Sequence, residues 1–212
     1  MSNLIDQRRA VTEQLVHQVI HEATAKILSE DGFSSLTMSR VAAEADVSKG
    51  TLYNYFPDKD ALVIETLERL YGGFWERIES LFQKEAEIAE TLVAVFQLIF
   101  EEITQTPALG HLLRENGGSP LIQSHLREKE QDIQHRFTAY FSREDILCQL
   151  SPCCRADTAM TARHIIRVLD GIVDERVRHP GDCPSIDQEL ETLKHFILTP
   201  LLTPSSGAPD NA

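Results

Sequence analysis

The sequence predicts an all-α protein, on three observations. Apolar residues recur at spacings of three and four through most of the chain, the period of a helix face. No alternating apolar–polar run is long enough to make a strand. Glycines, prolines and capping side chains punctuate the periodic stretches, as helix starts and stops do.

Residues 1–12 are expected to be a frayed arm. Its Arg8 and Arg9 read as solvated charges, with contact to phosphate or a minor groove as the alternative. From Thr12 to about Asp31, the residues Val16, Ile20, Ala23 and Ile27 mark one helix face, and Asp31-Gly32 ends it. Phe33 and Leu36 read as plugs beneath a small head.

Leu36 to Lys59 is the most informative stretch. Thr37 is placed to cap a short helix whose apolar face is Val41, Ala42 and Ala45. Asp46-Val47 breaks the pattern, and Ser48 is placed to cap the next helix, Lys49 to Tyr55. That helix buries Leu52 and then Phe56, leaving Lys49, Thr51, Tyr53, Asn54 and Tyr55 outward. An exposed face of hydroxyls, an amide and a cation suits a major groove, where the N-terminal residues of a recognition helix meet base edges.

After Pro57-Asp58 a long helix carries Val63, Leu67, Leu70, Phe74, Ile78 and Leu81, interrupted by Gly72-Gly73, where a bend or a close helix contact is expected. Ile88 to Thr104 is apolar almost all round, the pattern of a central buried helix. Pro107 breaks the chain, a short helix spans Ala108 to Glu115, and Asn116-Gly117-Gly118 stop it. Ser119-Pro120 reads as cap and first-turn proline of a helix through Phe141. Ser142 to Arg155 is the least regular part. Ala156, Ala159, Ala162, Ile166, Leu169 and Val173 form a stripe ending near Arg178, closed by Pro180-Gly181. Ser185 and Gln188 make a capping box for a final helix bearing Ile186, Leu190, Leu193 and Ile197. The tail TPSSGAPDNA is expected to be disordered.

The run T-M-S-R-V-A-A-E-A-D-V-S-K-G-T-L-Y-N-Y-F-P-D-K-D-A-L resembles the helix-turn-helix of the TetR (tetracycline-repressor-like) family of bacterial transcription regulators. The likeness covers roughly the first sixty residues, and it departs at Asp46, where the family usually has Gly. Asp tolerates the left-handed conformation better than most residues. The resemblance implies a three-helix DNA-binding domain over residues 1–58, then an effector-binding and dimerisation domain over 59–202, with 203–212 a disordered tail and about nine helices in all. It implies DNA contacts from Thr37, Lys49, Gly50, Thr51, Tyr53, Asn54, Tyr55 and Lys59. It also implies a homodimer through the last two helices, as a palindromic operator requires.

Composition bounds this reading. A hydrophobic content of 42% supports a buried core. The net charge of −13 argues at first against nucleic acid. Residues 1–60 hold six Lys and Arg against nine Asp and Glu, a net −3, so the acidity lies mostly elsewhere. The start MSNLIDQRRAV lacks an apolar core, and the longest apolar run, Leu92 to Phe100, contains Gln97. A cytoplasmic location is expected, with the four cysteines as reduced thiols.

Other candidate chemistry is thinner. Small-molecule effectors are implied by the resemblance. Phe74, Trp75, Phe96, Phe100, Phe137, Tyr140 and Phe141 are the candidate lining, with Arg163, His164 and Asp170 as polar anchors; core packing is the alternative for each aromatic. Cys153 and Cys154 follow Ser151-Pro152 and precede Arg155, so they are candidate redox thiols, joined by Cys183, with inert thiols as the alternative. The eight histidines are scattered. His17 and His21 have metal-ligand spacing but no third ligand nearby in sequence, so all eight read as surface residues and no metal or cofactor is expected. No nucleophile elbow, phosphate loop or dinucleotide fingerprint supports catalysis.

Three functions follow: an effector-released homodimeric repressor; an architectural or division-control DNA-binding protein without an effector; and a thiol-based redox or electrophile sensor on the same fold.

Overall fold

A computed structural model describes residues 2–105, 119–179 and 181–202. The expected helix at Ala108 to Glu115, its flanking Pro107 and Asn116-Gly117-Gly118, the stop at Pro180 and the tail from 203 lie outside the described residues. Among the described residues the structure is helical, with a single isolated antiparallel bridge between Leu150 and Leu202.

The helices are α1 (Ser2–Asp31), α2 (Met38–Glu44), α3 (Lys49–Tyr55), α4 (Lys59–Phe82), α5 (Ile88–Gln105) and α6 (Pro120–Phe141). There follow two short turns, α7 (Glu144–Leu147) and α8 (Pro152–Ala156), then α9 (Thr158–Arg178) and α10 (Ile186–Leu193). The chain divides into two compact units, Met1–Gly73 with Thr106–Leu126, and Phe74–Gln105 with Arg127–Ala212.

In the first unit, α1 begins at Ser2, so the frayed arm expected over residues 1–12 is corrected to helix from Ser2 on. Nothing from Ser2 to Val11 breaks a helix. Arg9 pairs with Glu13 one turn on, at 2.9 Å, a contact of the kind that supports an exposed helix. Ile20, Ala23, Ile27 and Leu28 are buried, as are Leu36, Val41, Leu52, Phe56, Leu62, Val63 and Leu67 from the following elements. Gly32 follows α1 at φ 75°, a positive φ that favours glycine.

Gly72 and Gly73 lie within α4 and are exposed. A Cβ at either would meet nothing within 4 Å. The close helix contact expected there is therefore absent among the described residues: these glycines are not the small residues of a tight crossing. The division between the two units falls after Gly73.

The second unit is built around α5, which packs on α9 and on α10. Ile88, Leu92, Val95, Phe96 and Phe100 are buried with Phe137, Phe141, Ile165, Leu169, Leu190 and Leu193. The capping box is present: Ser185 N–H donates to Gln188 Oε1 at 3.1 Å, and Gln188 N–H to Ser185 Oγ at 3.3 Å. Ser119 Oγ accepts from Ile122 N–H at 3.3 Å, starting α6 at its proline. The alanines of the expected stripe separate: Ala162 is buried, whereas Ala156 and Ala159 are exposed, and Asp157 caps a new helix that begins after Ala156. After α10 the helix continues through a π-helical turn, Lys194–Leu198, into Thr199–Leu201. Pro200 lacks the N–H that an α-helix would need there, and a π turn is one way to absorb that loss. Ser151 N–H reaches Leu201 O at 2.8 Å and Ser151 Oγ donates to Pro200 O at 3.0 Å, fixing the irregular segment to the last turn.

Candidate nucleic-acid interface

The α2–turn–α3 segment is assembled by its polar residues and anchored by two apolar ones. Thr37 Oγ1 accepts from Arg40 N–H at 3.2 Å, and Ser48 Oγ accepts from Thr51 N–H at 3.0 Å. Both are N-caps, as expected. Between them Asp46 holds φ 52°. Asp46 N–H donates to Ala43 O at 3.3 Å and Val47 N–H to Ala42 O at 2.9 Å, the pair of bonds that ends a helix in a Schellman motif. The Asp therefore occupies the left-handed position at which the family usually has Gly.

Leu52 and Phe56 are 0% and 1% exposed. Against that anchor Lys49, Gly50, Tyr53 and Asn54 are exposed, and Thr51 and Tyr55 half-buried. The two tyrosines divide. Tyr55 turns its ring to His17 of α1, edge to face at 4.7 Å between centroids, while Tyr53 stays 52% exposed. Thr51 Oγ1 lies 2.8 Å from Ser48 Oγ. Thr37 is exposed at the start of α2. A Cβ at Gly50 would meet only Ser48 Oγ, at 3.7 Å, an ordinary contact. The fold of the head thus does not itself demand glycine there.

Lys59, the residue expected to contact phosphate, has a partner inside the head. Its Nζ donates to Phe33 O at 2.7 Å and sits 3.6 Å from the centre of the Phe33 ring, so the ammonium is engaged within the head. Lys26 pairs with Glu44 at 2.6 Å, and Arg40 with Asp31. Among the described residues Lys49 has no ion-pair partner.

The reading of all histidines as surface residues is corrected at His21, which is 4% exposed. Its Nε2 lies 3.3 Å from Glu65 Oε1 of α4, and the same oxygen lies 3.4 Å from His17 Nδ1. The third neighbour that α1 lacks in sequence comes from another helix. Burial pushes the His21 imidazole below its ordinary pKa, with Glu65 opposing and Arg69 and His17 assisting.

In the second unit the aromatic candidates gather. Phe96, Phe100, Phe137, Tyr140 and Phe141 are buried in one cluster, and Phe74 and Trp75 pack against it. Tyr140 stacks on Phe82 at 4.4 Å, a ring absent from the sequence-based set. The polar anchors are not brought in with them: Arg163 and His164 are exposed on α9. Asp170 keeps an exposed surface, although side chains crowding its carboxyl, with Glu130 nearby, push its pKa up.

Cys153 and Cys154 open α8, with Sγ atoms 3.8 Å apart. Cys153 is exposed and lies 3.3 Å from Ser151 Oγ. That hydroxyl and the Cys154 thiol hold the Cys153 thiol below its ordinary pKa. Cys183 does not join them; its Sγ donates to His179 O at 3.3 Å.

A short helix held by buried residues, with cation, amide and phenol on its outer face, has the form of the second helix of a helix-turn-helix. Residues 20–66 match the family model described as bacterial regulatory proteins, tetR family. The chain is 28% identical over 159 residues to the fatty acid metabolism regulator protein of Bacillus subtilis, covering 74% of this chain and 79% of that one. It is 26% identical over 140 residues to the nucleoid occlusion factor SlmA of Mannheimia succiniciproducens, covering 66% of this chain and 61% of the relative's length. Its fold matches the solved structure of NalD, the secondary repressor of the MexAB-OprM multidrug efflux pump in Pseudomonas aeruginosa, with TM-score 0.70 at 16% identity over 91% of this chain and 98% of that one. The helix-turn-helix head is thus that of the TetR family of bacterial regulatory proteins, and the chain beyond it is similar to regulators of that family.

Two outcomes follow from this geometry. Gly50→Ala is expected to fold with unchanged or slightly raised stability, by up to about 1 kcal/mol, while weakening duplex binding. Thermal melts and anisotropy titrations check both halves, and unchanged DNA affinity contradicts a close backbone approach at Gly50. Alkylation at neutral pH is expected to modify Cys153 first among the four thiols, and Ser151→Ala to slow it. Peptide mapping by mass spectrometry reads the order; equal rates at all four sites contradict it.

Proposed function

We propose that the protein is a homodimeric repressor whose two heads read a palindromic operator and release it when a small molecule binds in the second unit. The observation that carries this reading is the outer face of α3, where Lys49, Tyr53 and Asn54 are exposed around a fully buried Leu52. Lys49 is suited to guanine O6 and N7, and Asn54 to an adenine edge. Thr37, Thr51, Tyr55 and the Gly50 backbone frame the same face. Lys59 is proposed to reach phosphate beside this face, while its ammonium is braced on Phe33.

A dimer through α9 and the last helix is supported by the apolar side chains they leave uncovered. Phe196 is 78% exposed, Met160 50% and Val168 44%. Two heads on one palindrome must sit about 34–36 Å apart or at a multiple of that spacing. An effector among Phe74, Trp75, Phe96, Phe100, Phe137, Tyr140 and Phe141 is supported by the gathering of those rings into one cluster; Arg163 and His164 are poor anchors for it. The aromatic surroundings and the Bacillus subtilis relative make fatty-acyl compounds the first ligands to try. A cytoplasmic location fits a regulator in which, among the described residues, no helix is long and apolar enough to cross a membrane. The similarity to the nucleoid occlusion factor SlmA supports a second reading, an architectural or division-control DNA-binding protein that takes no effector. Release of DNA by any metabolite separates the two.

Lys49→Ala or Asn54→Ala is expected to cost about 1–3 kcal/mol on operator DNA, measured by anisotropy on the inverted repeat upstream of the gene. Unchanged affinity in both variants contradicts the assignment of α3. Phe196→Glu is expected to give a folded monomer by light scattering, with operator affinity lost alongside. A dimer of unaltered strength removes the last helix from the interface.

A further inference from the structure

The head holds a cluster of side chains that DNA reading does not use. His17 and His21 stand one turn apart on α1, and Glu65 faces them from α4. Nδ1 of His17 and Nε2 of His21 lie 3.4 and 3.3 Å from the same carboxylate oxygen, and the three atoms are all within 4.8 Å of one another.

The hydrogen bonding fixes what those atoms present. The Thr66 hydroxyl donates to Leu62 O at 2.8 Å, so it accepts from His21 Nδ1–H, also at 2.8 Å. That pattern places a proton on Nδ1, and in the neutral ring it leaves Nε2 as a lone pair aimed at Glu65. With the His21 side chain only 5% exposed, little water screens the encounter. Two lone pairs held together in this way repel unless a proton or a metal cation lies between them, and a metal ion can take both lone pairs at once. The spacing fits such an ion. Zinc bonds of about 2.0–2.1 Å in tetrahedral geometry set ligand atoms about 3.3–3.4 Å apart, the length of both contacts to Glu65. The hydroxyl on the far nitrogen of His21 is the outer partner that metal-bound imidazoles generally have.

We propose that His17, His21 and Glu65 form a three-ligand site for a divalent transition-metal ion of the zinc class, which clips α1 to α4. Two imidazoles with one carboxylate favour zinc, cobalt or nickel over magnesium and calcium. The side chains of Glu65 and His17, 52% and 31% exposed, leave an approach for the ion and room for water as a fourth ligand. The site lies directly behind the reading helix: the His17 ring meets Tyr55 at 4.7 Å, and the His21 ring meets Phe56 at 5.3 Å.

The test is titration of the chelator-stripped full-length protein with cobalt(II), followed by visible ligand-field absorption, with zinc as competitor. Wild type is expected to take one ion per chain, without the near-ultraviolet thiolate-to-cobalt band that the cysteines would give, and to melt at higher temperature with zinc. Glu65→Gln and His17→Gln, both at partly exposed positions, are expected to weaken binding by more than about tenfold, and Thr66→Val by about 10–100-fold. Circular dichroism without metal verifies that the variants fold, and either of the first two suffices. Failure of wild type to bind, binding unaltered in the folded ligand variants, or a thiolate band overturns the site.

Discussion

Leu52 and Phe56 stand four residues apart on α3 with almost no surface left to solvent, and the rest of the head depends on where they sit. Burying two such side chains is worth about 1.5–3 kcal/mol each, more than a helix of seven residues gains from its own hydrogen bonds, since isolated helices of that length are marginal in water. α3 is therefore a helix because it is docked. Docking also fixes its rotation, so Lys49, Tyr53 and Asn54 face outward whatever their own preferences. The caps at Ser48 and Thr37 and the left-handed Asp46 set the angle between α2 and α3, a geometric task that apolar burial alone does not perform.

The charge balance of the head follows the same division of labour. Nine acidic residues against six basic ones over residues 1–60 leave little general attraction for phosphate. Internal contacts reduce it further, since Arg9, Lys26, Arg40 and Lys59 are engaged with Glu13, Glu44, Asp31 and Phe33. Such exposed pairs add little stability, but they withdraw positive charge from the surface. What remains at the reading face is Lys49 among neutral groups. Under the proposed function, a head of this kind would depend on shape and base-edge contacts, and on having two copies correctly spaced.

Much of this was legible in the sequence because it was local. The caps at Thr37, Ser48, Ser119 and Ser185, the apolar anchors of α3 and the strained turn at Asp46 each declare themselves within a few residues. What stayed hidden depends on meetings between helices. Glu65 joins His17 and His21 from a position more than forty residues on, and no spacing rule along α1 reveals it. The allocation of Tyr55 inward and Tyr53 outward needed the ring of His17. Lys59 matched a family contact by position, yet the carbonyl and ring of Phe33 lay within its reach. The helical start at Ser2 is not legible in the sequence for a different reason: a polar sequence without a packed face gives no amphipathic signal, although nothing in it opposes a helix.

The most direct measurement is selection of the purified full-length protein against a pool of random duplexes. The account expects enrichment of one inverted repeat, with half-sites whose centres lie about 10 base pairs apart or a multiple of that, bound by an even number of chains. A pool that stays unenriched through repeated rounds, or single unpaired half-sites held by one chain, contradicts it.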